Sequence, residues 1–259
     1  MTGTSLWKRI ALGIVVGLLA APTAGIAGDV IVLKLAHFMP TLHVQHREAF
    51  VPFAEAVAEK TGGRVRIDIF PGGALGNPKN MVDAVSTGIA DIGFVLPSYV
   101  PGRFPRSSVF ELPFIFDSAA EVAKAFYDNY DLLAEDYKRF KALWFLSSPL
   151  SQVHTVENPI LVAADFAGMK IRSASAMETA GIRKLGGSPI GMPISELSFA
   201  LQRGTVEGAL TPYAALSSHK LIDIVNHITE INYSGALMAV LMNRRKWESL
   251  PYYAQTAID

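Results

Sequence analysis

Three histidines near the start of the chain have a spacing that could bind a metal ion. His43 and His46 are three residues apart, so one helical face could carry both rings, and His37 precedes them. Catalytic zinc uses three protein ligands and a water molecule, so the number of histidines is sufficient. No cysteine or carboxylate partner supports a metal site, and the pattern favours a polar helix start at the mouth of a cleft.

Arg172 is the residue whose position points most directly to ligand binding. In the strand predicted over 169–173, alternation places Arg172 on the face opposite to Ile171. Arg172 ends that strand just before a helix start, and ligands bind at this edge of open α/β sheets. Its guanidinium offers a fork of donors that matches a carboxylate. The alternative is a surface arginine in a weak ion pair, and strand position alone does not separate the two.

The composition excludes several kinds of site. The 259 residues contain no cysteine, which rules out disulfides, thiolate metal ligands, a cysteine nucleophile and an acylated lipoprotein cysteine. The 23 basic and 23 acidic residues give no net charge, so nucleic acid is not an expected partner. No GxSxG, HExxH, GxGxxG or P-loop string occurs. An exported hydrolase or isomerase is therefore a rival hypothesis without a recognisable nucleophile and base.

Residues 1–27 have the layout of a secretory signal peptide. Lys8 and Arg9 precede an apolar run at 10–21, and small residues follow up to Ala27. The run is too short to span about 30 Å of hydrocarbon at about 1.5 Å per residue, which disfavours a membrane anchor. Cleavage removes two basic and no acidic residues, which leaves 21 against 23 and a net charge of −2. We expect a soluble periplasmic protein.

The elements that must hold Arg172 and the histidines follow an α/β pattern. The predicted order is strand, helix, strand, helix, strand over 30–36, 50–61, 64–70, 77–88 and 91–96. Asn77 followed by Pro78 is a plausible N-cap and first-turn pair for the second helix. This alternation predicts a sheet with right-handed crossovers.

The same alternation starts again downstream. Strands are predicted at 142–147, 169–173, 206–211 and 234–243, and helices at 175–186, 195–203 and 244–259. Ser175 and Glu178 form a capping-box pattern. Two α/β units without a flexible linker predict two lobes with mixed sheets and strand crossovers between them. We assign 28–149 to lobe I, 150–236 to lobe II and 237–259 to a return to lobe I.

Seven strings, taken together, resemble one family. They are LKLAHFMP, FAEAVAEKTGGRVRIDIFPGGALG, MVDAVSTGIADIGFV, FELPFIF, DFAGMKIRSAS, KLGGSPIGMPISELSFALQRGTVEGAL and NRRKWESLP. The ordered set runs from about Leu33 to the last residue without large gaps, and it is specific although no single string is. The sequence resembles the DctP-type substrate-binding proteins of tripartite ATP-independent periplasmic (TRAP) transporters.

The resemblance implies a fold of two lobes, like type II periplasmic binding proteins, that closes on a small organic acid and carries out no chemistry. It implies delivery of that acid to the small and large membrane subunits of a permease driven by a sodium gradient. We expect a monomer without a cofactor. A receptor that serves a signalling partner would have the same sequence pattern.

Site residues follow from the resemblance one at a time. Arg172 in GMKIRSAS matches the family arginine that binds the ligand carboxylate. Thr211 falls where many members have an asparagine, and its hydroxyl has a shorter reach and one donor fewer. Many dicarboxylate and sialic-acid binders carry another arginine where this sequence has Ser151, with Gln152 and His154 as the nearest polar side chains. These departures place a dicarboxylate or sialic acid in doubt.

One arginine, a threonine and nearby aromatic side chains fit a monocarboxylate with an apolar or aromatic body, such as a 2-oxo, 2-hydroxy or aromatic acid. The expected ligand-binding residues are Arg172, Thr211, His37, Phe38, Tyr99, Gln152, His154 and Tyr213. The alternatives are a C4-dicarboxylate binder and a receptor that binds a metal through His37, His43 and His46.

The length of the chain adds one further expectation. Members of the family continue past this length with a long helix that bridges both lobes. We therefore expect the C-terminal part of the fold to be missing from the 259 residues, which would leave apolar surface of one lobe uncovered.

Overall fold

The computed structural model describes residues 29–259, so the predicted signal peptide at 1–27 lies outside the described residues. Ten strands are found there: β1 (Ile31–Ala36), β2 (Val65–Phe70), β3 (Ile92–Val95), β4 (Phe140–Ser147), β5 (Gln152–Thr155), β6 (Lys170–Ser173), β7 (Ser188–Gly191), β8 (Gly208–Thr211), β9 (His227–Thr229) and β10 (Leu237–Asn243).

Nine α-helices accompany them within 29–259: α1 (Val51–Lys60), α2 (Met81–Thr87), α3 (Ala119–Asp128), α4 (Tyr130–Tyr137), α5 (Ala176–Lys184), α6 (Ile194–Gln202), α7 (Ala214–Ser218), α8 (Arg244–Ser249) and α9 (Tyr252–Ile258). A π-helical turn, His46–Phe50, leads into α1, and short 3-10 turns lie at Pro97–Tyr99, Ser107–Glu111 and Ala163–Phe166. In the described part of the chain, none of the helices is both long and apolar enough to cross a membrane.

The strands form two five-stranded sheets with the same plan. The first sheet has the order β2-β1-β3-β10-β4, with β1 parallel to both neighbours and β10 antiparallel to both of its own. The second has the order β7-β6-β8-β5-β9, with β6 parallel to its neighbours and β5 antiparallel to its own. The predicted α/β fold with two mixed sheets and crossovers between them is therefore confirmed.

β10 shows why the first sheet needs the returning chain. All seven of its residues are buried, as expected of a strand covered on both faces. β10 lies between β3 and β4 in the first sheet. In the sequence it follows all five strands of the second sheet, so the second neighbour of β3 comes from the chain that returns from that sheet. Val240 and Leu241 are fully buried, and burial of such a side chain contributes roughly 1.5–3 kcal/mol.

Two antiparallel segments connect the sheets and lie side by side. The backbone N–H of Ser148 donates to the carbonyl of Ala236 at 2.9 Å, and the N–H of Ser151 donates to the carbonyl of Ser234 at 2.8 Å. A Cβ atom at Gly235 would lie 3.2 Å from the Ser148 carbonyl oxygen and closer still to a serine hydroxyl. The two crossing segments pair closely because this position has no side chain.

The helix predicted over 244–259 is wrong in one respect, because it is two helices. α8 ends at Ser249, and Leu250 has the extended conformation (φ −76°, ψ 141°). A residue before a proline is driven out of the helical region, and Pro251 is then the N-cap of α9.

The second predicted helix begins later than its cap suggested. The Asn77 side-chain oxygen accepts the N–H groups of Lys79 at 2.9 Å and Asn80 at 3.1 Å. These bonds close a local turn, and α2 begins at Met81. Asparagine stabilises such turns as well as helix starts, so the sequence pattern is the same for both.

Candidate ligand-binding site

A cavity of about 260 Å³ lies between the two sheets. Its apolar walls come from both lobes and include Met39, Leu96, Ile194 and Met238. Its polar lining residues are His43, Gln45, Tyr99, Ser147, Ser148, Ser151, Arg172, Glu178, Thr211, Ser218 and His219. Concave sites with mostly apolar walls and a few polar groups are typical of small-molecule binding.

Arg172 is held in this cavity by β6. The neighbouring Ile171 is fully buried in the core of the second lobe, so Arg172 stands on the other face and is itself only 2% exposed. Its Nε donates to the Met192 carbonyl at 3.0 Å, and Nη1 donates to the Leu210 carbonyl at 3.0 Å. Nη2 donates to the Tyr99 hydroxyl at 3.1 Å.

These three hydrogen bonds leave part of the guanidinium unused. A guanidinium has five N–H groups. Among the residues that the structure describes, one N–H on each terminal nitrogen of Arg172 has no hydrogen-bond partner. Two guanidinium donors of this kind can bind the two oxygens of a carboxylate.

Tyr99 joins the lobes across the cavity. It lies on the first lobe after β3, and its hydroxyl accepts hydrogen bonds from Arg172 and from the Ile194 backbone N–H, the latter at 3.1 Å. Both partners are donors, so the hydroxyl proton of Tyr99 is not used in either bond. The two lobes are therefore in direct contact beside the guanidinium.

Glu178 adds a buried carboxyl group to the same wall. The Ser175 hydroxyl accepts the Glu178 N–H at 3.0 Å, which confirms the predicted cap of α5. The Glu178 side chain accepts the Ala174 N–H and, at 3.4 Å, the Ser151 hydroxyl. Burial raises the pKa of Glu178, and the Arg172 charge offsets part of this rise.

Glu111 brings a second carboxyl close to Glu178 from the first lobe. It ends a 3-10 turn and is 4% exposed. Burial, followed by the charge of Glu178, raises the pKa of Glu111 to about 8. At neutral pH the Glu111 carboxyl is therefore mostly protonated.

His43 and His219 approach each other from opposite lobes. Their ring centroids are 6.3 Å apart, and both residues line the cavity. Burial lowers the pKa of His43. Burial, then the positive charges of His43 and Arg172, lower the pKa of His219 to about 4. Both imidazoles are therefore neutral near pH 7.

The structure brings together three of the eight residues expected to bind the ligand. Arg172, Thr211 and Tyr99 line the cavity. Phe38 lies behind Tyr99, with ring centroids 6.0 Å apart. The remaining four, which do not line the cavity, are His37, Gln152, His154 and Tyr213.

Those outside the cavity lining make contacts within their own lobe. The Gln152 amide donates to the Asn232 side chain at 2.7 Å. The His154 ring bonds to the Thr211 carbonyl at 2.9 Å, so it supports the backbone of a lining residue. Tyr213 is 42% exposed and donates to a surface glutamate.

The three histidines considered as metal ligands are separated into two groups. The rings of His37 and His46 are joined by a 3.0 Å hydrogen bond, and His37 stacks on Phe50 at 4.8 Å. His43 instead faces His219. Across residues 29–259, no group of three or more histidines or carboxylates is placed to hold a metal ion.

His219 and Glu178 are among the polar lining residues that sequence reasoning did not select as ligand-binding residues. Glu178 was interpreted only as the third residue of a capping box, a role that accounts fully for its place in the sequence. His219 follows the five-residue helix α7, and no periodic pattern marks it. Its position across from His43 depends on how the two lobes meet.

Comparisons with known sequences identify the family. The description "Bacterial extracellular solute-binding protein, family 7" (DctP) matches residues 35–259. A solute-binding protein of Verminephrobacter eiseniae is 29% identical over 79% of this chain, and the chain spans 62% of that relative's length. The C4-dicarboxylate-binding periplasmic protein DctP of Rhodobacter capsulatus is 26% identical over 98% of this chain and 78% of its own length.

Solved structures give the same result. A marine metagenome TRAP solute-binding protein specific for aromatic acids, in complex with 3-hydroxybenzoate, has a TM-score of 0.85 at 32% identity, over 90% of this chain and 74% of its own. A TRAP solute-binding protein of Rhodoferax ferrireducens with copurified benzoate has a TM-score of 0.84 at 28% identity, over 88% and 73%.

A third neighbour bears on the conformation. A TRAP solute-binding protein of Desulfovibrio salexigens in an open complex has a TM-score of only 0.72, although it is 33% identical over 88% of this chain and 71% of its own. The present structure is therefore more similar to the complexes with 3-hydroxybenzoate and benzoate than to this open complex. The contact between Tyr99 and Arg172 across the cavity agrees with this result.

The family match covers far more than half of the chain, and these neighbours are binding proteins and not enzymes. The chain therefore belongs to bacterial extracellular solute-binding protein family 7, the DctP-type solute-binding proteins of TRAP transporters.

Proposed function

We propose that the protein binds a small aromatic monocarboxylate in the cavity between its lobes and delivers it to the membrane subunits of a TRAP permease for sodium-driven uptake. The observation that carries this proposal is the Arg172 guanidinium, which is fixed by three hydrogen bonds and has two donors left in a cavity with apolar walls.

Arg172 supplies the anchor for one carboxylate. The guanidinium stays charged at any relevant pH, and a closed cavity excludes water, which strengthens its attraction to an anion. The Tyr99 hydroxyl, with its proton unused, is a second donor beside it. Binding would thus link the ligand to both lobes. Because the ligand binds the closed form better, it would shift the protein toward that form through a hinge motion about the crossing segments.

The charges of the cavity favour one carboxylate over two. Arg172 is the only lysine or arginine among its lining residues, all of which lie in the described part of the chain. Glu178 lines the same wall, so a second ligand carboxylate would lie beside a carboxyl group and not beside a second cation. The neutral histidines would not balance that charge.

The apolar walls and the neighbours support an aromatic body. Met39 and Met238 are adaptable side chains that pack well against rings, and Tyr99 presents an aromatic ring. Two solved structures with TM-scores of 0.85 and 0.84 hold 3-hydroxybenzoate and benzoate. The relative from Rhodobacter is a C4-dicarboxylate-binding protein, which makes dicarboxylates the competing ligand class.

Delivery to a permease requires the protein to act outside the cytoplasmic membrane. The family is one of extracellular solute-binding proteins, and residues 1–27 have the pattern of a signal peptide. We therefore propose that the signal peptide directs export and that the mature protein works as a periplasmic monomer.

A ligand panel tests the proposal. Purified protein is heated with benzoate, mandelate, pyruvate, succinate or malate, and hits are measured by isothermal titration calorimetry. A ligand at about 100 times its dissociation constant stabilises the folded state by roughly 2.7 kcal/mol, which raises the midpoint clearly. We expect an aromatic monoacid to bind most tightly. Tighter binding of succinate or malate, or no shift with any acid, would overturn the proposal.

A further inference from the structure

His43 and His219 form a polar pair across the cleft that the anchoring of a carboxylate does not use. His43 comes from the loop between β1 and α1, and His219 follows α7 in the second lobe. Both are partly buried, and both line the cavity with their rings 6.3 Å apart. Because the two residues come from opposite lobes, the distance between their rings depends on how far the cleft is closed.

The hydrogen-bonding state of His43 follows from one contact. The Gln45 backbone N–H donates to Nδ1 of His43 at 3.1 Å. A backbone N–H can only donate, so Nδ1 carries no proton, and the neutral ring has its proton on Nε2. His43 therefore offers one N–H donor, held in orientation by its own loop.

His219 has the complementary capacity. In residues 29–259, His219 forms a hydrogen bond through its backbone N–H, to the Ala215 carbonyl at 3.0 Å, and none through its ring. A neutral imidazole has one donor and one acceptor nitrogen. The basic groups that act on His219 are His43 and Arg172, and both oppose a positive charge on it.

We infer that His43 and His219 recognise an uncharged hydroxyl group of the ligand, so that the preferred ligand is a hydroxylated aromatic monocarboxylate. A hydroxyl can accept from the Nε2–H of His43 and donate to the free nitrogen of His219, which no purely apolar substituent can do. This inference rests on the proposed function, because Arg172 must hold the carboxylate for the ring to reach the pair.

Selectivity follows from the cost of leaving buried polar groups unpaired. A ligand without the hydroxyl closes the cleft around two imidazoles that have lost water and gained no partner. A second carboxylate could accept from His43 but, unlike a hydroxyl, has no proton to donate to His219, and burial and the Arg172 charge disfavour an imidazolium there. One neutral hydrogen bond is worth about 1 kcal/mol, so two predict roughly a tenfold to thirtyfold preference for the hydroxylated acid.

The test compares paired ligands by isothermal titration calorimetry. The pairs are benzoate with its 2-, 3- and 4-hydroxy derivatives, and phenylacetate with mandelate. We expect at least one hydroxylated acid to bind about tenfold more tightly than its parent. His43→Leu and His219→Leu should each reduce that ratio to about threefold or less, because the variant loses one partner of the hydroxyl and no longer leaves that polar ring unpaired beside the parent acid. His227→Leu, on β9 and outside the cavity lining, is the matched control.

The outcomes separate this inference from the proposed function. If Arg172→Ala removes binding of every acid but the hydroxyl preference is absent or unaffected by either histidine variant, only the inference is wrong. If no acid binds wild-type protein, both are wrong. Should a leucine variant fail to fold, His219→Gln, which keeps a donor and an acceptor, must retain more of the preference than His219→Ala.

Discussion

Arg172 and His37 are two buried polar side chains beside the same cleft. They differ in whether an unpaired hydrogen-bonding group faces the cavity, where a ligand could reach it. Arg172 is 2% exposed, and two of its N–H groups remain available in the cavity lining. His37 is fully buried, bonded to His46 and stacked on Phe50. Its Nδ1 has no hydrogen-bond partner in the described chain, but the residue does not line the cavity.

The difference shows which property marks a binding residue. Burial is common to both, and each has an unpaired nitrogen or N–H group. Only Arg172 combines unpaired donors with a cavity large enough for a ligand and with neighbours that fix its orientation. His37 instead stabilises the first lobe. The contrast predicts that substitutions at the two residues act on different quantities.

The largest effect is expected for Arg172→Ala on ligand binding. Loss of two charge-assisted hydrogen bonds, each worth roughly 1.5–3 kcal/mol, predicts a weakening of about a hundredfold to ten-thousandfold, measured by calorimetry. Arg172→Lys should bind nearly as weakly, since an ammonium lacks the planar fork.

Arg183→Ala is the matched control for this change. Arg183 is an exposed arginine in the last turn of α5 and does not line the cavity, so its loss should leave affinity unchanged. Far-UV circular dichroism of both variants shows whether the fold is intact. Unfolding of Arg172→Ala together with normal binding by Arg172→Lys would assign Arg172 to the structure and not to the ligand.

His37→Ala should affect stability and leave binding nearly unchanged. Removal of a fully buried ring that stacks on Phe50 predicts a loss of about 2–4 kcal/mol in the free energy of unfolding, measured by urea denaturation. Ligand affinity should stay within about threefold of wild type. His227→Ala, with a less buried ring, should cost about 0.5 kcal/mol or less. A large loss of affinity with normal stability would contradict the comparison.

Acid should weaken folding through His37. Burial, followed by the charge of His46, lowers the pKa of His37 from 6.5 to about 4. The unfolded chain therefore binds a proton that the folded chain does not, and stability present above pH 6.5 is lost as the pH falls toward 4. The slope from this residue is at most about 1.4 kcal/mol per pH unit.

A difference measurement isolates this slope. His219 has a similarly lowered pKa of about 4 and contributes its own loss, so wild type alone is not informative. Urea denaturation of wild type and His37→Gln at several values between pH 7 and pH 4 should give curves that converge on acidification. Parallel curves would mean that His37 is not neutral in the folded state.

The strongly patterned elements could be predicted from the sequence. β1 and β10 are long apolar runs, and Arg172 follows an alternating strand that ends before a capped helix. Short strands gave no comparable pattern. β7 has four residues and contains Pro189, and β9 has three, so neither extends over enough residues for a period to appear. Both are placed by pairing with neighbours.

The site was predictable only in part, for a physical reason. Arg172 ends a strand that local pattern predicts, but its role, like that of Tyr99, is inferred only with the help of the family resemblance. The meeting of His43 with His219, and of Glu111 with Glu178, depends on the angle between two lobes. That angle results from contacts far apart in sequence, and no local pattern encodes it. Gln152 and His154 are polar residues of β5 whose side chains bond to backbone groups of their own lobe, outside the cavity lining.

Tyr99→Phe should have the smallest effect and should test how the two regions are connected. The hydroxyl is the only part of Tyr99 removed, and with it the acceptor for Arg172 and for the Ile194 N–H. Loss of these two bonds across the cleft should destabilise the closed form by about 1–1.5 kcal/mol relative to the open form. Ligand affinity should therefore be about fivefold to tenfold weaker. The stability of the first lobe should not change, because the ring still packs near Phe38.

Small-angle scattering of the protein with and without ligand distinguishes two causes of that weakening. If Tyr99 acts by holding the lobes together, the variant at saturating ligand should still reach the compact form, but at a higher ligand concentration than wild type. If the hydroxyl only donates to the ligand, the conformation of the unliganded protein should be the same in both. A more open unliganded variant would therefore show that Tyr99 connects the guanidinium site to closure, which His37, confined to one lobe, cannot do.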